Sequence, residues 1–505
     1  MSLQLARKSS LRFSTSMVTH VFGLISMLFI KRYMGYEDLG MIAFAASYVG
    51  LFAILGGPGF NTAHSIRVNE AGLDEGKCNG TFITIKVILS FFMAVVVLLT
   101  ILIPKYLFGV SFESRTLEII LYLTILKFSL DALINTFRTV YTSKLEVAKA
   151  NIPRIIGRTL SMVVKIAVAV LGLSVVFIAG VEIFAGTIIL AMLFVLFRKY
   201  PIKKIDREYL KLYATYGLPA VFIGLVASFT LRMDKVLIGF FLGSESVGVY
   251  YIPQRITSVL LYVSMTITGL LFPTFSKLYS EKKFDTIQRL SQQSMRYASI
   301  ILIPCVVFLF IFADPVLVLA FGSDATQSAG VFQILLLALY INAIRAPYAI
   351  HILSTGHMKL GLVLSTLVLV INGVLNLIFI PDDLLGMSML GLGIEGAAYT
   401  TLLSLSFSAS YSFYYAKKIT STRVYPRIWT HIFSGLVITG LGFYFSNIST
   451  AWYMLGGYFI VLFGIYFGIL FLLREFGTDE IDFVINALHP GKMKRYITAE
   501  LKNEE

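Results

Sequence analysis

The sequence predicts an all-α integral membrane protein with 14 transmembrane helices. These form two six-helix halves related by pseudo-two-fold symmetry, followed by two C-terminal helices. Three observations lead to this fold class: the composition is too apolar for a water-soluble chain, apolar runs of membrane-spanning length recur along the whole chain, and short motifs repeat six spans apart.

The composition identifies the lipid bilayer as the main solvent of the chain. Of the 505 residues, 57% are hydrophobic and 14% are charged, and the mean hydropathy is +0.81. A soluble domain carries about 25% charged residues. Cys78 and Cys305 lie far apart, without a CxxC motif or a neighbouring histidine, so we expect neither a disulfide framework nor a metal site.

Fourteen apolar runs are long enough to cross a bilayer, which takes about 20 helical residues. They lie at residues 11–30, 39–59, 81–103, 117–137, 156–175, 177–197, 213–235, 246–273, 297–320, 328–348, 360–380, 391–416, 429–447 and 451–473. No small-residue cleavage site follows the first run, so we expect it to remain as an uncleaved span. Asp314-Pro315 predicts a helix break near the end of the ninth run.

The basic residues predict the orientation. Lysine and arginine accumulate in cytoplasmic loops, and with an inner N-terminus most of the 42 fall in inner segments such as 198–211 and 276–296. Both termini are therefore expected to be cytoplasmic, in a multi-pass protein of the plasma membrane. The net charge of +14 then indicates topology and contact with anionic membrane lipids, and not nucleic-acid binding.

Two motif pairs indicate an internal repeat. Gly35-x-Glu37-x-x-Gly40 recurs 208 residues later, at 243–248, and the segment from Gly180 recurs 213 residues later, at Gly393. Six spans separate the copies of each motif, so both copies enter the membrane in the same direction and the symmetry axis lies along the membrane normal. The structural explanation of the first motif is a tight turn at the glycine, with the glutamate starting the next helix.

The repeat predicts the division of the chain. The expected units are an N-terminal bundle at 1–197, a cytoplasmic linker at 198–212 and a C-terminal bundle at 213–416, followed by helices 13 and 14 at 417–475 and a cytoplasmic tail at 476–505. Two similar halves around a central site suit alternating access, which makes a transporter the leading class.

Charged residues at membrane depth are the candidate functional residues, because they are costly there. The candidates for substrate binding are Arg255, Lys127, Lys165, Lys86, Arg67 and Arg345, and those for ion coupling are Asp131, Asp234 and His20. Basic groups outnumber acidic ones within the spans, which favours an anionic ligand such as a phosphate or pyrophosphate.

Several of these residues have a structural alternative. Lys127 and Asp131 stand four apart on one helix face and are expected to pair. Asp234 lies in the cluster Arg232-Met233-Asp234-Lys235, for which the alternative is an interfacial ion pair. Lys86 is close enough to the inner face to extend its ammonium group to water.

Motifs of soluble enzymes are absent from the sequence. It contains no GxxxxGK[ST], HExxH or GxSxG pattern, so we expect no cofactor and no enzymatic activity. A gradient or the membrane potential is expected to supply the energy.

Four segments carry a resemblance to a known family: MDKVLIGFFLG at 233–243, GGPGF at 56–60, GLGIEGAA at 391–398 and AFG at 320–322. The chain resembles Wzx-type polysaccharide flippases of the multidrug/oligosaccharidyl-lipid/polysaccharide exporter superfamily over residues 10–475. The resemblance implies a V-shaped bundle that moves a polyprenyl- or dolichyl-pyrophosphate-linked oligosaccharide to the outer leaflet, coupled to H⁺ or Na⁺, with glycan-assembly proteins as candidate partners. It transfers no site residue.

Three alternatives remain open from the sequence. One is a cation-coupled multidrug exporter of the same superfamily, and another is a lipid II flippase. The third, a membrane glycosyltransferase or glycan polymerase, would need outer catalytic loops with paired carboxylates, and the outer loops here are short.

Overall fold

The computed structural model describes residues 3–268, 271–448 and 451–476, and within these ranges the chain is helical apart from turns and one small hairpin. The helices are α1 Leu3–Leu51, α2 Gly59–Arg67, α3 Glu75–Phe108, α4 Arg115–Ser143, α5 Val147–Val170, α6 Val175–Phe197, α7 Arg207–Thr268, α8 Leu271–Ser280, α9 Phe284–Ile311, α10 Ala313–Phe321, α11 Ala329–Ser354, α12 Met358–Phe379, α13 Gly393–Thr420, α14 Ile428–Ile448 and α15 Trp452–Leu472. Strands β1 Asp383–Leu384 and β2 Met387–Ser388 pair antiparallel between α12 and α13.

The described helices provide fourteen segments that correspond to the predicted spans; the second ends at Leu51, earlier than predicted, and is continued by a 3-10 helix over Phe52–Gly56. α1 and α7 each contain two of these segments, because a glycine with non-helical backbone angles interrupts each helix. The short helices α2, α8 and α10 follow the second, eighth and ninth segments. By length and composition, eight of the described helices are long and apolar enough to cross a membrane. The long helices outside that group are α4, α5, α7 and α13.

The two interrupting glycines are the first glycines of the repeated motif. Gly35 has φ 93° and ψ −174°, and Gly243 has φ 81° and ψ 175°. This backbone region is open almost only to glycine, because a side chain would collide with the main chain. The predicted turn at these positions is confirmed, and the two copies adopt nearly the same conformation.

The last glycines of the motif pack the two halves together reciprocally. A methyl group on Gly40 would lie 1.7 Å from the carbonyl oxygen of Ser244, and one on Gly248 would lie 2.1 Å from the carbonyl oxygen of Tyr36. Tyr36 and Ser244 are themselves equivalent in the repeat, so each half makes the same contact with the other. The pseudo-two-fold axis therefore passes between α1 and α7 at this point, where only glycine allows the backbones to approach so closely.

Loops of each half also contact the interrupted helix of the other half. A carboxylate oxygen of Glu113, in the α3–α4 loop, accepts hydrogen bonds from the backbone nitrogen of Ser244 at 2.8 Å and from its hydroxyl at 2.7 Å. On the other side, the ammonium group of Lys31 donates to the carbonyl oxygen of Phe321 at 2.9 Å and to the carboxylate of Asp324. These contacts join the halves at the end that the charge pattern predicts to be the outer one, called the kink end below.

The structure changes one predicted helix boundary and confirms one predicted helix break. α5 begins at Val147 and not at residue 156, because the polar residues 147–155 continue the helix outside the apolar core. Arg158 therefore lies well inside a helix. The predicted break in the ninth segment is confirmed: α9 ends at Ile311, and α10 starts at Ala313 after a non-helical residue.

Candidate functional site

A cavity of about 370 Å³ lies between α1, α4, α5, α6 and α7. It is called the first cavity below. Its lining includes His20, Lys127, Lys165 and Arg255, four of the residues that the sequence singles out. The remainder is mostly apolar, so a low local dielectric strengthens the electrostatic interactions of these groups.

Glu182 of α6 is the centre of an ion cluster in the cavity wall. Its carboxylate lies 2.8 Å from a terminal guanidinium nitrogen of Arg158, and it also forms an ion pair with the ammonium group of Lys165. The hydroxyl of Ser161 donates to the same carboxylate at 3.2 Å. α5 supplies all three partners, because Arg158, Ser161 and Lys165 lie three or four residues apart and share one face of the helix.

Lys127 forms the ion pair that its spacing predicts. Its ammonium nitrogen lies 2.7 Å from a carboxylate oxygen of Asp131 on the same helix, and 4.5 Å from the ring centre of Phe128. The predicted pairing is confirmed. Lys127 faces the first cavity with its charge largely balanced.

Arg255 has no such counterion. It reaches from α7 across to α1, where a methyl group on Gly23 would lie 2.5 Å from a terminal nitrogen of its guanidinium group. Among the described residues, no carboxylate lies within 4.0 Å of Arg255 and no hydrogen bond to it is found. The glycine at position 23 provides the space in which the guanidinium group lies.

The first cavity is therefore electropositive in balance. Four basic side chains line it, and the carboxylates of Glu182 and Asp131 lie against three of them. A cation without a counterion is expensive in a membrane protein. An anion that enters the cavity would relieve that cost at Arg255.

Asp234 and its charged neighbours do not form an interfacial ion pair. The guanidinium group of Arg232 donates to the hydroxyl of Ser228 at 2.8 Å, and the ammonium group of Lys235 donates to the side-chain oxygen of Gln254 at 2.6 Å. Residues one or two positions apart on a helix do not face each other, so Asp234 does not meet Arg232 or Lys235. Each of the three side chains forms hydrogen bonds with different neutral partners.

The carboxylate of Asp234 is 4% exposed and held by neutral donors. It accepts hydrogen bonds from the hydroxyl of Tyr250 at 3.0 Å, the amide of Asn376 at 2.8 Å and the hydroxyl of Thr401 at 2.9 Å. The side-chain oxygen of Asn376 has no hydrogen-bond partner in the described part of the chain. The carboxylate of Asp234 is thus buried between α7, α12 and α13, close to the side-chain oxygen atoms of Tyr250, Thr401 and Asn376.

Comparison with known proteins identifies the family. The family described as polysaccharide biosynthesis protein matches residues 29–329, more than half of the chain. The chain belongs to this family.

Two curated relatives of this family member come from Haloferax volcanii. One is a probable low-salt glycan biosynthesis flippase, Agl15, 26% identical over 240 residues that cover 47% of this chain and 48% of the relative. The other is a probable flippase, AglR, 24% identical over 185 residues that cover 35% and 36% of the two chains. The chain thus spans about half the length of the first relative and about a third of the second.

Solved structures show that the fold is shared with known transporters. The lipid II flippase MurJ in its inward closed conformation superimposes with a TM-score of 0.74 at 15% identity, over 92% of this chain and 99% of MurJ. An inward-facing multidrug resistance MATE transporter of the MOP superfamily gives 0.64 at 17% identity, over 80% of this chain and 94% of the transporter. The chain therefore shares its all-α fold with these two membrane proteins, as the sequence predicts.

Three of the residues predicted to bind substrate do not line the first cavity. The ammonium group of Lys86 is 2.5 Å from the carbonyl oxygen of Gly56, so it binds the end of a helical turn and does not extend to water. Arg67 pairs with Glu70 at 2.5 Å at the end of α2. Arg345 lies in a different cavity, in the second half.

Sequence reasoning missed Arg158 and Glu182 as cavity residues. The charge pattern assigns Arg158 to the basic inner segments, and the repeat includes Glu182 only as part of the segment that starts at Gly180. The position of Glu182 within the membrane is the signal that identifies it, because it stands inside the predicted sixth span, where a carboxylate is unusual.

Proposed function

We propose that the protein transports a polyprenyl- or dolichyl-pyrophosphate-linked oligosaccharide from the inner to the outer leaflet of the plasma membrane, without covalent chemistry. One observation carries the proposal: Arg255, without a counterion, lies in an electropositive cavity between the membrane helices. The curated relatives of the family, described as probable flippases, support it.

The basic side chains take different roles in this proposal. Arg255 binds the pyrophosphate, because its planar guanidinium group can donate two parallel hydrogen bonds to phosphate oxygens. Lys127 and Lys165 lie in the same lining and attract the second phosphate, although Asp131 and Glu182 offset part of their charge. The hydrocarbon tail stays in the bilayer while the headgroup crosses.

Alternating access follows from rocking of the halves at residues 1–197 and 213–416. The kink end is joined by the bonds of Glu113 to Ser244 and of Lys31 to Asp324. Release of the headgroup to the outer side requires these bonds to break. In this proposal the kink end is the outer end, these bonds hold it closed, and both termini lie on the cytoplasmic side.

The coupling ion, H⁺ or Na⁺, is proposed to act at Asp234. A proton would neutralise the buried carboxylate, and Na⁺ would bind its oxygens together with those of the neighbouring hydroxyl and amide groups. Either change alters the contacts between α7, α12 and α13. His20 and Asp131 are the other coupling candidates: His20 lines the first cavity, and Asp131 pairs with the cavity residue Lys127.

The proposal is tested with the purified protein in lipid vesicles. The wild type should move a fluorescent pyrophosphate-linked glycolipid between leaflets faster than protein-free vesicles, and Arg255→Ala should lower the rate at least about tenfold, because a charge-assisted hydrogen bond contributes about 1.5–3 kcal/mol. Lys204→Ala, in the exposed linker, serves as the matched control. No acceleration by the wild type would refute the proposal.

The same vesicles separate the alternatives. Transport of a cationic drug in place of the glycolipid would instead indicate a multidrug exporter. Transport restricted to lipid II would narrow the substrate to that lipid, and a glycosylated product would indicate an enzyme.

A further inference from the structure

A second cavity, of about 480 Å³, lies in the second half between α7, α8, α11, α12 and α13. It shares no residue with the first cavity. Its lining is largely aliphatic, with Leu353, Leu362, Val368 and Leu405 among the contributors, and Arg345 is the one charged residue among the described residues that line it.

The hydrogen-bond donors of the Arg345 guanidinium group are only partly paired. One terminal nitrogen of its guanidinium group donates to the side-chain oxygen of Asn342 at 2.8 Å, and the other donates to the hydroxyl of Ser408 at 3.1 Å. Its Nε is buried and has no hydrogen-bond partner within the described ranges. Both partners are neutral, so its positive charge is not balanced by either contact.

No carboxylate of the surrounding helices balances Arg345. α11 and α12 contain neither aspartate nor glutamate. The single acidic residue of α13, Glu395, lies roughly 20 Å along the helix from Ser408. The acidic residues of α7 are Glu208, Asp234 and Glu245, and in the described part of the chain no ion pair joins any of them to Arg345.

The cavity is also accessible to hydrocarbon. Leu231 is 66% exposed and Met358 is 58% exposed, and both contribute to its lining. In a membrane these side chains face lipid or an amphiphile that has moved between the helices. The cavity thus combines a half-buried cation that lacks a counterion with an apolar wall that is open at its edge.

We propose that this second cavity binds an amphiphilic anion with one phosphate group, a monoester or diester, on a hydrocarbon body. The phosphate accepts hydrogen bonds from Arg345, whose guanidinium geometry suits it, and the hydrocarbon lies along the aliphatic wall. One cation suits one phosphate, whereas the several cations of the first cavity suit a pyrophosphate. The inference does not depend on the proposed transport activity.

Three probes separate the headgroup from the hydrocarbon body. Native mass spectrometry of the detergent-purified protein measures binding of dioleoyl phosphatidate, of dioleoylglycerol, which lacks the phosphate, and of inorganic phosphate, which lacks the body. We expect one phosphatidate per chain, bound at least ten times more tightly than either of the other two. Equal binding of dioleoylglycerol or of inorganic phosphate would overturn the inference.

Variants then locate the binding site. Arg345→Gln should weaken phosphatidate binding at least tenfold, and Val368→Trp, which fills the cavity and keeps the arginine, should do the same. Lys359→Gln, an exposed lysine of α12 outside the lining, should have no effect. Unchanged binding in Val368→Trp, or in a folded Arg345→Gln, would overturn the inference.

Glycolipid transport is measured with the same preparation. If the protein transports the glycolipid but does not bind phosphatidate as predicted, only this inference is refuted. If it binds phosphatidate but does not transport the glycolipid, only the proposed function is refuted.

Discussion

Arg255 differs from the other basic residues of the first cavity in having no carboxylate beside it. Lys127 contacts Asp131, and Lys165 shares Glu182 with Arg158. The local cost of an unbalanced charge is therefore concentrated at one residue. That residue comes from α7, whereas the other cations come from the first half, so an anion bound here contacts both halves.

Glu182→Gln is expected to destabilise the protein. The substitution leaves Lys165 and Arg158 without a counterion. Breaking a buried ion pair costs about 3–5 kcal/mol. We expect a loss of about 3 kcal/mol, the lower end of this range, because the cluster is partly exposed. Reversible unfolding in mixed micelles measures the change. Glu245→Gln, at an exposed position, should change the free energy of unfolding by less than about 0.5 kcal/mol. Equal stability of the two variants would contradict a structural role for the cluster.

The sequence predicts contacts within one helix better than contacts between helices. The pair Lys127–Asp131 follows from a spacing of four residues. The pair Arg158–Glu182 does not, because its partners lie on two helices whose relative rotation the sequence does not specify. Lys86 is bound by backbone carbonyl groups, which carry no signal in the side-chain pattern.

At the scale of helices, the repeated glycine determines where α1 and α7 break. The sequence predicts this feature, since a glycine recurs at the same place in both halves and a tight turn needs its conformational freedom. The close contacts of Gly40 and Gly248 are not predicted, because the pattern does not show which helices meet.

Gly35→Ala is expected to destabilise the protein by about 1–3 kcal/mol, the cost of a side chain in this backbone region. No atom within 4 Å would meet the added methyl group, so the effect is conformational and not a clash. Gly180→Ala, in a helix with equally open surroundings, should be neutral or stabilising. Melting temperatures of the two variants test this, and a Gly35→Ala protein as stable as the wild type would contradict it.

The end of α15 is predicted to depend on pH. Burial raises the pKa of Glu475, but interactions with Tyr425, His431 and Arg296, chiefly the hydrogen bond from Tyr425, outweigh it, so the pKa lies below its ordinary value of 4.5. The stabilisation is therefore present above pH 4.5 and is lost as the pH falls through the lower folded-state value.

Amide hydrogen exchange near Glu475 measures this effect. We expect the protection factor, which corrects the exchange rate for the pH dependence of intrinsic exchange, to fall about tenfold on acidification, as a charge-assisted hydrogen bond is lost. Glu475→Gln should show a lower protection factor already at neutral pH and little further change on acidification. A pH response that persists in this variant would assign the effect to another group.

At the scale of the whole molecule, reciprocal contacts close the kink end. The double variant Glu113→Gln and Asp324→Asn weakens one contact from each half. It is expected to shift the population towards a state open at that end, because each lost charge-assisted bond contributes about 1.5–3 kcal/mol to the closed state. Labelling of a cysteine introduced at Thr19, in the first-cavity lining, from the outer side should become at least about tenfold faster than in the wild-type background. Unchanged labelling would show that other contacts keep the end closed.

The central claim is that the headgroup phosphate binds at Arg255. Its most direct test is the affinity of the purified protein for a polyprenyl-pyrophosphate-linked sugar, compared between the wild type, Arg255→Gln and the linker variant Lys204→Gln. We expect Arg255→Gln to lower the affinity at least about tenfold and Lys204→Gln to leave it unchanged. Wild-type affinity in a correctly folded Arg255→Gln protein would contradict the claim.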